Sequence, residues 1–272
     1  MSDANRIRRQ RARPGTVRAS LVSVVCLLRG LPLFFRAAPK TPLRVLGLIA
    51  LDTLHVLRHS QPLPRKRVDE LAMFLDFEGC TNAAWDHKDL CEAEYQAIRH
   101  RLETAGLGSC IEVYLGRLRE LESRRPSIGG DRRGFAEVQS YRESVVRLSI
   151  ATAAAIALNA DDAEEDFRAA QCDSDVETLF RILMQCQIID DVVDYADDLS
   201  AGLPSFMTGS ASLPQAMELT AKAARYYAGH GEHSSGNGVF PLRMALSAVT
   251  VVTKLVVRVA DRRHRTTRLF AH

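Results

Sequence analysis

Asp190, Asp194 and Asp198 recur at i, i+4 and i+8 within the stretch 187–198, QIIDDVVDYADD. On a helix that spacing stacks three carboxylates along one stripe, where like charges repel. Around them stand Phe180, Ile182, Leu183, Met184, Ile188, Ile189, Val192 and Val193, so the aspartates make up nearly all of the polar face. An acidic run is ordinarily a solvated surface; so apolar a setting argues instead for a bound cation. Oxygen-only ligands, with Asp191 as one more, favour magnesium or manganese over zinc. Such an ion, bridging to a phosphate-bearing substrate, would neutralise a departing diphosphate.

A second group has the same character. Asn82, Asp86 and Asp89 fall at i, i+4 and i+7, again one helical stripe, with Asp76 and Glu78 just upstream to supplement it. The plainer alternative for these three is helix capping or a surface ion pair with Lys88. A diphosphate also calls for cations or directed donors, and Tyr141, Arg142 and Arg147 share one long helical segment. His230 and His233 have metal-like spacing but no third ligand, and read as solvent-exposed.

These groups need helices to hold them. Apolar positions recur at helical spacing nearly throughout, and no segment combines strict alternation with hairpin turns. The pattern predicts an all-α fold with helices near 42–59, 66–88, 90–105, 109–124, 134–158, 174–200, 212–228 and 240–262. Pro62 and Pro64, Gly106 and Gly108, and Pro126 with Gly129 and Gly130 punctuate them, and Ser212 before Pro214 reads as a capped start. The small residues of 151–157 would give either close helix packing or room for a substrate chain.

With 272 residues, 46% of them hydrophobic and 25% charged, the chain can bury one core. We expect a basic leader over 1–40, partly disordered or resting on a membrane, and a helical domain over 41–265. The leader carries Arg6, Arg8, Arg9, Arg11, Arg13 and Arg18, and with the apolar patch 31–35 it suits peripheral contact with anionic lipid. The body has no basic reading element, which argues against nucleic acid as a partner. Six scattered cysteines without a CxxC pair suit reduced thiols in the cytoplasm.

The string 187–198, continued by Gly202, resembles the second aspartate-rich motif of trans-prenyl diphosphate synthases and of squalene and phytoene synthases. QIIDDVVD is similar to the FQxxDDxxD of chain-elongating enzymes. The frame Gln187, Asp190, Asp194, Asp198 is similar to the QxxNxxxDxxxD of phytoene synthases, with Asp in place of Asn. The spacing also matches the metal triad of terpene cyclases, which would place Ser or Thr at 194 and Glu at 198. The stretch around Asn82, Asp86 and Asp89 resembles the first DxxxD motif of squalene and phytoene synthases, with Asn leading. YRESVVRLS, 141–149, looks like the tyrosine-bearing helix of squalene synthases, and 223–227, which holds Arg225, followed by 241–246, is similar to the C-terminal helices of phytoene synthases.

The resemblance implies a class I isoprenoid synthase bundle with a central active-site cavity. It implies magnesium held by Asn82, Asp86, Asp89, Asp190, Asp191, Asp194 and Asp198, and a prenyl diphosphate substrate met by Arg142, Arg147 and Arg225. Tyr141 and Arg147 join the three aspartates as implied catalytic groups, and a homodimer is a compatible assembly. Ionisation of the allylic diphosphate would be followed by cyclisation or by head-to-head condensation. Chain elongation ranks lower, because the lysine expected after Gly202 is replaced by Leu203 and Pro204. A catalytically inactive homologue that partners an active synthase is the reading from another class.

Overall fold

The computed structural model describes residues 42–59, 61–86, 92–158, 174–229 and 240–270. Among them are nine helices and no strand: α1 (Pro42–His59), α2 (Arg65–Trp85), α3 (Glu92–Thr104), α4 (Gly108–Glu122), α5 (Arg132–Leu158), α6 (Ser174–Val193), α7 (Tyr195–Ala201), α8 (Leu213–Tyr227) and α9 (Phe240–Phe270). The described residues form an all-α fold. The leader 1–40, Lys88, Asp89, His230 and His233 lie outside the described residues.

Helix ends follow local chemistry. Pro64 precedes α2, where its missing N–H costs nothing. Gly106 closes α3 at φ 85°, a left-handed turn that only glycine enters freely, while the N–H groups of Gly106 and Leu107 return to the carbonyls of Glu103 and Leu102. Gly202 closes α7 in the same way at φ 67°, with Leu203 N–H bonded to the Asp198 carbonyl.

Two long helices organise the packing. α5 touches α1, α2, α4 and α6, and α6 touches α5, α7, α8 and α9. The core is continuous through both. Leu71, Phe74 and Phe77 bury one face of α2, with Phe74 edge-on to Tyr114 at 5.3 Å and Phe77 stacked on Tyr95 at 5.3 Å. Each such side chain contributes about 1.5–3 kcal/mol by leaving water. On α6, Phe180, Met184 and Ile188 recur at i, i+4 and i+8 and are fully covered. Buried Gln185 on the same helix donates to the Ala224 carbonyl at 2.8 Å, tying α6 to α8. Of the small residues on α5, Ala151, Ala153 and Ala157 are buried, and the gap left between α1, α5 and α6 is only about 20 Å³. Close packing, rather than a substrate channel, is what these positions supply.

The helices differ from expectation in two places that matter. α2 ends at Trp85, so Asp86 is its C-cap and not part of a continuing stripe. The helix expected over 174–200 breaks at Asp194, whose φ of −92° and ψ of 13° separate α6 from α7. The hydrogen bonds from Asp194 N–H to the Asp190 carbonyl and from Asp198 N–H to the Asp194 carbonyl, 2.8 and 2.9 Å, carry the i→i−4 ladder across the break. Among the described residues, no helix is long and apolar enough to cross a membrane.

Candidate functional site: a carboxylate cleft between α2, α5 and α6

The end of α6 sits over α5 and the C-cap of α2, and a small cleft opens between them. Asp86, Arg125, Tyr141, Arg142, Gln187, Asp190, Asp191, Asp194, Asp198, Leu203 and Pro204 all line it. Asp86 of the first group is thus brought to the aspartates of α6 and α7, more than a hundred residues away in sequence. Its volume is about 50 Å³, room for a few waters or the oxygens of a small anion.

Adjacent aspartates have divided fates. Asp190 is exposed, whereas Asp191, about 100° further round the helix, is 2% exposed. Asp191 accepts three hydrogen bonds: from Arg142 Nη2 at 3.1 Å, Gln187 Nε2 at 2.9 Å and the Phe206 N–H at 2.7 Å. Burial pushes its carboxyl above the ordinary value, while Arg142, Phe206 and Gln187 pull the other way. With its lone pairs so occupied, Asp191 is an anchor for the segment 203–210. All eight residues of that segment are buried although none is in a helix. Part of the segment is tied internally: Thr208 Oγ1 donates to the Leu203 carbonyl at 2.6 Å and receives the Ser205 N–H at 2.8 Å. Gly209 fits against Val138, and an added Cβ would lie 3.0 Å from Val138 Cγ2 and 3.2 Å from the Ser205 carbonyl oxygen.

Opposite, a network missed by the sequence reading holds Asp86. Arg125 Nη2 donates to Asp86 Oδ1 at 2.7 Å and Arg125 Nε pairs with Glu122 Oε2 at 2.7 Å. The Tyr141 hydroxyl donates to Glu122 Oε1 at 2.6 Å and receives a long bond from Arg125 at 3.3 Å. Burial, then the Glu122 bond, push the Tyr141 phenol up to about 12. For Arg125, burial alone would lower the pKa; Tyr141, Asp86 and Glu122 more than reverse this. Arg125 stays charged. Nothing in the linear sequence distinguished Arg125 or Glu122, since their bonds join the C-terminal end of α4 to the C-cap of α2 and to Tyr141 within α5.

Other expected residues stand apart. Arg147 does not line the cleft; it pairs with Glu177 at 3.2 Å and stacks over Phe180, 3.7 Å from the ring centre. Arg225 is exposed in the last turn of α8. Asn82 is half-buried one turn below Asp86, whose N–H its carbonyl receives, and its side chain is not part of the lining. Asp76 and Glu78 are also outside the lining. Glu78 meets the Ser149 hydroxyl, and it is closely enough surrounded that burial raises its carboxyl.

No family model, curated protein or solved structure matches the chain. What the cleft can hold therefore rests on its own chemistry. Five carboxylates face two guanidiniums, so a bare anion would be repelled, and a bare cation would find oxygen donors. Arg142 Nε, on a side chain lining the cleft, is a buried donor with no acceptor, the kind of orphan an incoming oxyanion would satisfy. Asp190, Asp194 and Asp198 offer the oxygen-only donors that a hard divalent ion takes. Among the described residues, no three His, Cys, Asp or Glu side chains already converge on one point.

Proposed function

We propose that this protein is a magnesium-dependent class I isoprenoid synthase that ionises an allylic prenyl diphosphate and then cyclises it or condenses it head to head. The observation that carries the reading is the pairing, in one cleft, of Asp190, Asp194 and Asp198 with the orphaned Arg142 Nε donor. Neither a solvated acidic face nor a simple anion site accounts for both. A bound divalent ion, magnesium or manganese, would supply charge neutralisation as the diphosphate departs.

The chain's own groups then have distinct tasks. Asp190, Asp194 and Asp198 would present oxygens to the ion, and Arg142 would hold a diphosphate oxygen through Nε while Asp191 fixes its Nη2 end. Arg125, clamped by Glu122 and Asp86, would add a second positive charge at the rim. Tyr141, protonated and held by Glu122, would position Arg125. The motif resemblance supports the prenyl part of the reading; the cleft supports the diphosphate part.

Incubation with geranyl, farnesyl and geranylgeranyl diphosphates, with and without magnesium, tests it. Magnesium-dependent diphosphate release is expected, with a product of unchanged carbon number for cyclisation or doubled for condensation. Release only when isopentenyl diphosphate is added would turn the assignment to elongation. A second reading, an inactive helical partner of an active synthase, draws on Asp86 being already paired to Arg125 and Asp191 to Arg142. No release from any substrate would favour that reading.

A further inference from the structure

α9 carries an apolar stripe that no described element covers. Met244, Val251, Val252, Leu255 and Val259 are between 38% and 66% exposed, while Leu242, Leu246, Thr250, Thr253 and Val257 are buried against the bundle. At about 100° per residue the two sets occupy opposite sides of the helix, so the outward side is apolar over four turns. Val193, 69% exposed at the end of α6, extends it. Val193, Leu255 and Val259 line a groove of about 510 Å³ together with the buried Met207 and Met217. Contiguous apolar exposure of this kind marks a docking surface.

Charge indicates what docks there. Among the described side chains of the same helix, Arg243, Lys254, Arg258, Arg262 and Arg263 stand against a single acid, Asp261. A second copy laying its own α9 on this face would bring like charges together, as would the arginine-rich leader with Arg6, Arg8, Arg9, Arg11, Arg13 and Arg18. An anionic surface would complement them. No helix among the described residues is a membrane span, and an exposed apolar stripe flanked by cations is the pattern of a helix that lies in the lipid interface. We propose that α9 docks the protein peripherally on an anionic bilayer, with Val251 and Leu255 in the acyl boundary and Lys254 and Arg258 at the headgroups. This surface needs neither metal nor prenyl substrate and is independent of the catalytic assignment.

The test is co-sedimentation of the full chain with phosphatidylcholine vesicles containing or lacking phosphatidylserine. Binding should require phosphatidylserine and weaken with salt. Val251→Glu/Leu255→Glu should reduce partitioning at least tenfold, and Lys254→Gln and Arg258→Gln about fivefold each, with thermal melting followed by circular dichroism to show that each variant is folded. The glutamine variants keep the test decisive if the glutamate pair does not fold. Three outcomes overturn the proposal: no binding by the full chain; variants that bind like wild type, which places the contact elsewhere, as on the leader; or a dimer that Val251→Glu/Leu255→Glu dissociates without any vesicle binding.

Discussion

Replacing Asp191 by alanine separates the structural aspartate of the DD pair from its neighbour. The Asp191 carboxylate is the acceptor for Phe206 N–H at 2.7 Å inside a segment with no exposed residue from 203 to 210. Alanine leaves that N–H without a partner, at a cost of about 1–3 kcal/mol. It also strands Arg142. Losing one partner of a fully buried pair costs about 3–5 kcal/mol, but the Arg142 side chain is 21% exposed and can regain solvent, which cuts this contribution to roughly 1–2 kcal/mol. Asp191→Ala should therefore destabilise the fold by about 3 kcal/mol. Asp190→Ala, at an exposed position one residue away, should change stability by no more than about 0.5 kcal/mol. Equilibrium urea unfolding followed by helical circular dichroism, with linear extrapolation, reads both. The reasoning is refuted if Asp191→Ala lies within about 1 kcal/mol of wild type or if Asp190→Ala is equally damaging.

Two further stability measurements probe the supports of the cleft. Gly209→Ala would drive a methyl to 3.0 Å from Val138 Cγ2 and 3.2 Å from the Ser205 carbonyl, and should cost about 1–3 kcal/mol by overpacking in the same urea assay. Glu78 has a folded-state carboxyl raised by burial, so its contribution to stability is fully present below its unfolded value and is lost as pH rises through the folded one. Glu78→Gln, which mimics the protonated form, should accordingly be more stable than wild type at neutral pH, with the difference closing in acid; unfolding curves in which the gap widens on acidification would contradict this sign.

Much of the helical framework was legible because apolar periodicity and Pro and Gly punctuation act locally. Of the boundaries that differ, two lie beside the cleft, while the last helix runs on past the expected 262 to Phe270. α2 stops at Trp85 and α6 yields at Asp194, where tertiary neighbours rather than propensity decide. In the site itself, Asp190, Asp194, Asp198 and Asp86 were nameable from spacing, Tyr141 and Arg142 only from the motif resemblance, and all six line the cleft. Arg147 was not distinguishable from Arg142 by sequence. Only its contact with Glu177 and the ring of Phe180 shows it facing another way. Arg125 was invisible because its partner Asp86 is 39 positions distant. The burial of the segment 203–210 was not legible, since it rests on contacts between elements distant in sequence: the Phe206 N–H on Asp191, the Phe206 carbonyl on the Thr220 hydroxyl and the Thr208 carbonyl on the Gly129 N–H.

The most direct measurement is calorimetric titration of inorganic diphosphate into wild type and Asp194→Ala, each with and without magnesium. If the carboxylate cleft takes cation and anion together, wild type binds diphosphate only when magnesium is present, and Asp194→Ala loses that binding while unfolding at the same urea concentration. Diphosphate binding that is indifferent to magnesium, or that survives intact in Asp194→Ala, would contradict a metal–diphosphate site at these aspartates.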